Sequence, residues 1–173
     1  MNIIFQTTRL YLRQFTLEDA GLLLQLNSDP EVLKYLHEPL MRDEAHAKEI
    51  FTNIIFPQYE KGLGRWAVFI KDNNQFIGWC GLKHRPEPDE IDLGYRFIKT
   101  AWGAGYATEA AAKTIEYGVN NLNLKIITGR AHIENIGSLR VLEKIGMQYV
   151  CEGIVDDCPV KTYVSVNGNN SEF

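Results

Sequence analysis

The spacing of apolar and polar residues changes several times along the chain, and each change marks an element. Leu10 to Phe15 (LYLRQF) alternates in part, which predicts a strand. Thr16-Leu-Glu-Asp then reads as a helix start, with Thr16 as N-cap and Asp19 in the capping-box position, and residues 20 to 27 carry a helical apolar face. Ser28-Asp29-Pro30-Glu31 predicts a second short helix, with Pro30 in its first turn. From Asp43 to about Tyr59, apolar residues recur at three- and four-residue steps and predict one helical run. The period then falls to two. Arg65 to Lys71 and Gln75 to Leu82 predict a hairpin around Asp72-Asn73-Asn74, and Lys83 to Asp89, with two prolines, predicts a loop. Glu90 to Ile98 alternates, with Ile91, Leu93, Tyr95 and Phe97 on a face to bury and Glu90, Asp92, Gly94 and Arg96 on the other.

Trp102 to Val119 (WGAGYATEAAAKTIEYGV) predicts a glycine-rich turn feeding a helix. A strand over 125 to 132, a short helix over 138 to 145 ended by Gly146, and a last hairpin from Tyr149–Val155 and Val160–Val166 follow. The polar end, 167–173, is expected to fray. No repeat or linker interrupts the pattern. The chain therefore predicts one domain over 1–173, of α+β type, with helices layered on a mixed, mostly antiparallel sheet.

Composition narrows the function classes. The 173 residues are 45% apolar and 23% charged, as in a water-soluble globular domain with one sizeable core. A net charge of −4 argues against nucleic-acid binding through a basic face. The three cysteines, Cys80, Cys151 and Cys158, form no Cys-x-x-Cys pair and have no histidine cluster beside them. That argues against a disulfide framework or a metal site and points to a reducing cytoplasm. The first residues have too short an apolar run for a signal peptide, and no stretch reaches membrane-spanning length, so no membrane partner is expected.

The glycine turn is the strongest chemical signal. Glycine admits positive φ and close ligand approach, and a helix N-terminus offers unpaired N–H groups with partial positive charge. Gly103, Gly105 and the N–H groups through Thr108 therefore fit an anion site, especially for a pyrophosphate, although glycines alone fit a plain tight turn as well. A P-loop would need a lysine before Thr108, and a dinucleotide fingerprint would need a glycine in its place.

The third possibility is an acyl-CoA loop. The chain resembles the GNAT superfamily of N-acetyltransferases, and most of all its RimJ/RimL-type branch. The family's Arg/Gln-x-x-Gly-x-Gly/Ala loop falls on Trp102, Gly103, Ala104, Gly105, Tyr106 and Ala107. Trp102 departs from Arg/Gln, but this branch itself uses the form W-G-x-G-Y-A-T-E-A. The branch's Asn-x-x-Ser and Lys-x-Gly fall on Asn135 to Ser138 and Lys144 to Gly146. Asp92-Leu-Gly-Tyr95 and the opening TTRLYLRQFTLEDA also match, so the resemblance runs from Thr8 to about Val166.

That resemblance implies an N-acetyltransferase that passes the acetyl group of acetyl-CoA directly to a primary amine. A lysine-like amine is neutral about once in a thousand at pH 7 and an α-amino group roughly once in ten, so a base matters more for the former. Asp92, where the branch usually has Glu, is the candidate base, acting through a water because its side chain is shorter; Glu90 is the weaker candidate. Against both stands the plain reading of two charges on a solvated strand face. A backbone N–H near Phe97 and Ile98, on a strand that splays from its neighbour, would bind pantetheine and meet the oxyanion. The family's general-acid Tyr falls on Leu142, so Ser138 is the substitute donor to the thiolate, with helix N-cap as its plain role. Asn135 would contact the pantetheine amide or a water, or merely cap a turn.

The acceptor, a small molecule or a protein N-terminus, would enter between residues 28 to 41 and the last hairpin, with Tyr35, Leu36, His37 and Trp79 as possible walls. His84 reads as a surface-loop histidine, His132 as structural, Cys80 as core, and Glu109–Lys113 as an ordinary helix-surface pair. Monomer and homodimer both remain open. The rival reading is a non-catalytic acyl-CoA-binding sensor, supported by the missing Tyr; a nucleotide-binding module stands behind it.

Overall fold

A computed structural model of the protein describes residues 2–167. Eight strands form one sheet: β1 (Ile3–Gln6), β2 (Leu10–Arg13), β3 (Gly64–Ile70), β4 (Phe76–Arg85), β5 (Glu90–Phe97), β6 (Ile126–His132), β7 (Gln148–Val155) and β8 (Cys158–Val166). They lie in the order β1-β2-β3-β4-β5-β6-β8-β7, and every neighbouring pair is antiparallel except β5–β6. The helices are α1 (Ala20–Asn27), α2 (Glu44–Ile50), α3 (Phe56–Tyr59), α4 (Tyr106–Leu122) and α5 (Ile136–Lys144).

Two cores, one on each face of the sheet, make three layers. Leu23, Leu26, Ala47 and Phe51 pack with Ala67, Phe69 and Trp79 on one face. Ala110, Ala111, Leu139 and Leu142 pack with Trp66, Val68, Ile77 and Leu82 on the other. The small buried residues of α4, Ala110, Ala111 and Thr114, let that helix lie close to the strands it covers.

The expected α+β architecture is thus present, with local corrections. Residues 30–35 form consecutive turns rather than a helix, because the Asp29 carboxylate takes the Glu31 N–H (2.9 Å) and offers the backbone a local alternative. The run from 43 to 59 is broken by a π-helical turn, Phe51–Ile55, just before Pro57, which lacks an N–H and crowds the preceding turn. The predicted loop over 83 to 89 shrinks, since β4 continues through Lys83, His84 and Arg85; Pro86 favours extended backbone at Arg85, and Arg85 pairs with Glu90. Strand β1 was not predicted. Of the tail 167–173, Asn167 donates its N–H to the Lys125 carbonyl at 2.9 Å, and the rest lies outside the described residues.

Candidate active site

Strands β5 and β6 run parallel but pair only at Asp92–Thr128 and Leu93–Gly129, so they part company beyond Leu93. On its other side β5 pairs with β4 along its whole length. The Ile98 N–H donates to the Ile77 carbonyl at 2.9 Å, which corrects the expectation that Ile98 offers its N–H to a ligand. Alternation along an antiparallel ladder then turns the Phe97 N–H away from β4 and into the gap left by β6. The Phe97 side chain is core, as expected.

The glycine turn opens beside this gap. Gly105 is the N-cap of α4 at φ 81°, a left-handed conformation that suits glycine, and residues 102 to 105 are exposed. The N–H groups of Tyr106, Ala107 and Thr108 form the first turn, where an α-helix has no internal acceptor for them. Trp102 takes the place of the family's Arg/Gln with a different job: its indole Nε1 donates to the Phe97 carbonyl at 2.9 Å and ties the turn to the end of β5.

Arg9, from the far end of the sequence, braces the same turn. Its Nε donates to Glu109 Oε2 (2.7 Å), its Nη1 to the Ala104 carbonyl (2.9 Å), and its guanidinium lies 4.4 Å from the Tyr106 ring centroid. Glu109 also accepts the Thr7 hydroxyl and the Arg9 N–H. Glu109 is therefore no surface partner of Lys113, which pairs with Glu116 instead. A contact one hundred residues apart has no short-range signature, so sequence spacing could not reveal it.

Across the gap stands α5. Asn135 Oδ1 accepts the Ser138 N–H at 3.2 Å, so Asn135 is the N-cap and the capping role considered for Ser138 is overturned. The Ser138 carbonyl accepts the Tyr95 hydroxyl at 2.9 Å, which fixes the start of α5 against β5. Leu142 is fully buried in the core and presents no donor.

The polar face of β5 is not the solvated surface that alternation suggested. Glu90 accepts two hydrogen bonds from the Arg130 guanidinium, and that partner holds its carboxyl below the usual range. Asp92 is different. Its side chain is 19% exposed, Arg85 and Arg130 approach only to 3.8 and 3.9 Å, and its Oδ1 is buried without a hydrogen bond. Burial outweighs both cations and pushes its carboxyl from the ordinary 3.8 to about 6. Arg85 also binds Asp156 at 2.7 Å, pinning the β7–β8 turn over the site.

Residues 9–148 match the sequence model of the acetyltransferase (GNAT) domain. The chain belongs to the GNAT family of acetyltransferases. Among curated relatives, the uncharacterised N-acetyltransferase p20 of Bacillus licheniformis is 35% identical over 152 residues, covering 87% of this chain and 84% of its own. A GNAT-family acetyltransferase structure from Bacillus anthracis superposes with a TM-score of 0.79 at 25% identity, over 96% of this chain and 98% of that one. RimL, a ribosomal L7/L12 alpha-N-protein acetyltransferase solved with coenzyme A, shares the fold with a TM-score of 0.80 at 16% identity, over 95% and 98% of the two chains. Acetyl-CoA is the co-substrate. The exposed glycine turn, the first-turn N–H groups of α4 and the Phe97 N–H in the gap fit that molecule's phosphates and its amide-bearing arm.

Residues 30 to 41, on the side where the resemblance implies that the acceptor enters, are held over the sheet by Glu38 on Arg96 (3.1 Å) and by Tyr35 against the His132 ring (5.4 Å between centroids). Leu36 and His37 are exposed. Trp79 is core rather than a wall, with the guanidinium groups of Arg65 (4.6 Å) and Arg96 (5.6 Å) against its ring. His84 sits on β4, where its Nε2 meets Asp89 at 2.7 Å. The described residues contain no helix long and apolar enough to cross a membrane and no His, Cys, Asp or Glu cluster able to hold a metal.

Proposed function

We propose that this acetyltransferase moves the acetyl group of acetyl-CoA directly to a primary amine, on a small molecule or a protein N-terminus, with Asp92 as the general base. The observation that carries this reading is the Asp92 carboxylate: largely buried, with its Oδ1 lacking a hydrogen-bond partner, raised to about 6, and placed on β5 where that strand begins to part from β6. A base with that value is ionised at neutral pH and still basic enough to accept a proton from an amine, directly or through one water.

When bound, acetyl-CoA supplies an activated thioester. The chain's residues do the rest. First-turn N–H groups of α4 hold phosphate, Arg9 keeps the turn in shape, and the Phe97 N–H receives the carbonyl oxygen. The amine nitrogen bonds to the acetyl carbon, the carbon–sulfur bond breaks, Asp92 takes the amine's proton and passes it to solvent, and CoA leaves as a thiolate that takes a proton from water. The Ser138 hydroxyl donates a hydrogen bond toward the sulfur, without giving up its proton, from the opposite face of β5 to Asp92: residues 92 and 95 point to opposite faces, and Tyr95 is the one that touches Ser138. Cys80 offers no covalent route, because burial drives its thiol up to about 12.

The test is a primary-amine panel with acetyl-CoA and thiol detection, run on the wild type and on Asp92→Asn. Wild-type turnover, lost in Asp92→Asn with acetyl-CoA affinity intact, supports the reading. Tight acetyl-CoA binding without turnover on any amine contradicts it.

A further inference from the structure

The face of the sheet that carries Asp92 has an uneven charge inventory. Its cations are Arg13, which Asp19 takes, and Arg65, Lys83, Arg85, Arg96 and Arg130. Arg130 is taken by Glu90, Arg85 by Asp156, and Arg96 by Glu38 and the Asn27 amide oxygen. Among the described residues, the Arg65 and Lys83 side chains make no ion pair and no hydrogen bond, yet both are half-buried, packed near Gln58 and Ile54 with no open cavity between them.

Arg65 rests on the Trp79 ring at 4.6 Å. No hydrogen bond accompanies that contact, so the guanidinium's N–H donors stay unspent. Burial and the neighbouring Arg96 charge hold Arg65 down to about 10, and burial followed by the Arg65 charge lowers Lys83. Half-buried cations that repel one another are costly unless an anion arrives. The chain's net charge of −4 is thus reversed in sign locally.

Position ties these two cations to the chemistry. Lys83 is the direct cross-strand neighbour of Asp92, and Arg65 lies one strand further, opposite Gly81. Adjacent strands are about 4.8 Å apart, so an anion held here sits roughly 5–10 Å from the base. An α-amino acid whose amine hydrogen-bonds Asp92 sets its carboxylate about 6 Å from that base, at the near end of this range and beside Lys83.

We infer that the acceptor of this acetyltransferase is an amine that also bears a carboxylate, an amino acid, and that Arg65 and Lys83 receive the carboxylate while the amine lies at Asp92. The inference rests on the amine-transfer reading above and narrows it. It disfavours polycationic acceptors, whose second charge would meet Arg65 and Lys83.

The experiment pairs amino acids with their decarboxylated counterparts: L-phenylalanine with phenethylamine, L-leucine with isopentylamine, and spermidine as a polycation. Wild type should favour the amino acid of each pair by about tenfold or more in kcat/KM. At pH 8, where Asp92 stays ionised, Arg65→Gln and Lys83→Met should each erase that preference by raising the amino acid's KM far more than they change kcat or the acetyl-CoA KM; Arg65→Lys, which keeps the charge, should restore part of it. Equal or better use of the decarboxylated amines or of spermidine by the wild type overturns the inference, as does a preference untouched in both variants. Calorimetry on the CoA-loaded protein separates this from failure of the transfer reading. Binding of N-acetyl-L-phenylalanine but not N-acetylphenethylamine, lost in Arg65→Gln, upholds the carboxylate site even if no amine turns over. No such difference overturns it.

Discussion

Replacing Asp92 with asparagine should make the protein more stable and the enzyme far slower. The Asp92 carboxyl is raised from 3.8 to about 6, about two pH units, because burial disfavours its charged form. At 1.36 kcal/mol per unit, that is a folding penalty of about 3 kcal/mol whenever the group must ionise. Between pH 4 and 6 the native state binds more protons than the unfolded chain, so stability falls as pH rises through that window. The penalty is complete above pH 6 and absent below about 3.8. Asparagine, neutral and nearly isosteric, removes it. Denaturant unfolding should show Asp92→Asn more stable than wild type by up to about 3 kcal/mol at pH 8, with the gap closing toward pH 4. In parallel, kcat with saturating substrates should rise tenfold per pH unit below about 6 in the wild type, while the variant should be lower by about 10²–10⁴ and lack that limb. A variant less stable than wild type at pH 8, or one that keeps the limb, would refute the assignment of a strained, buried base.

Other sites give sharper local tests. Arg9→Ala removes the brace between Glu109 and the Ala104 carbonyl, and should weaken acetyl-CoA binding about tenfold by calorimetry; an unchanged Kd would mean the turn holds its shape alone. Gly105→Val forces a branched side chain to φ 81°, which costs about 1–2 kcal/mol and lowers Tm, and should abolish acetyl-CoA binding in a protein that circular dichroism still finds folded; normal affinity would remove the turn from the site. Ser138→Ala should lower kcat about tenfold and leave Tm in place, because Asn135 provides the cap; a fall in Tm at constant kcat would make Ser138 structural.

Much of this was legible in the sequence because it is local. Alternation over residues 90 to 98 marked β5, and glycines at 103 and 105 before an alanine-rich helical period marked the turn into α4. The capping box at Thr16 and the loop residues likewise follow rules that act within a few positions. What escaped depends on distant partners. Alternation predicts that the polar face of β5 meets water, but Arg130, Arg85 and the β7–β8 turn close over it, turning two similar carboxylates into a neutralised Glu90 and a raised Asp92. Arg9 reaches Glu109 only because the turn that leads into β2 folds onto the first turn of α4. The unspent charges of Arg65 and Lys83 emerge only after every other ion pair on that face has been assigned. Ile98 shows the reverse limit: a residue next to the gap whose N–H the β4 backbone had already taken.

The central claim is direct transfer to the amine within one complex of enzyme, acetyl-CoA and acceptor. Initial rates measured while both substrates are varied test it most directly. The account predicts double-reciprocal lines that intersect, since both substrates must be present before the first bond forms. Parallel lines, with acetyl trapped on the protein in the absence of amine, would contradict it and move the chemistry from Asp92 to a covalent residue.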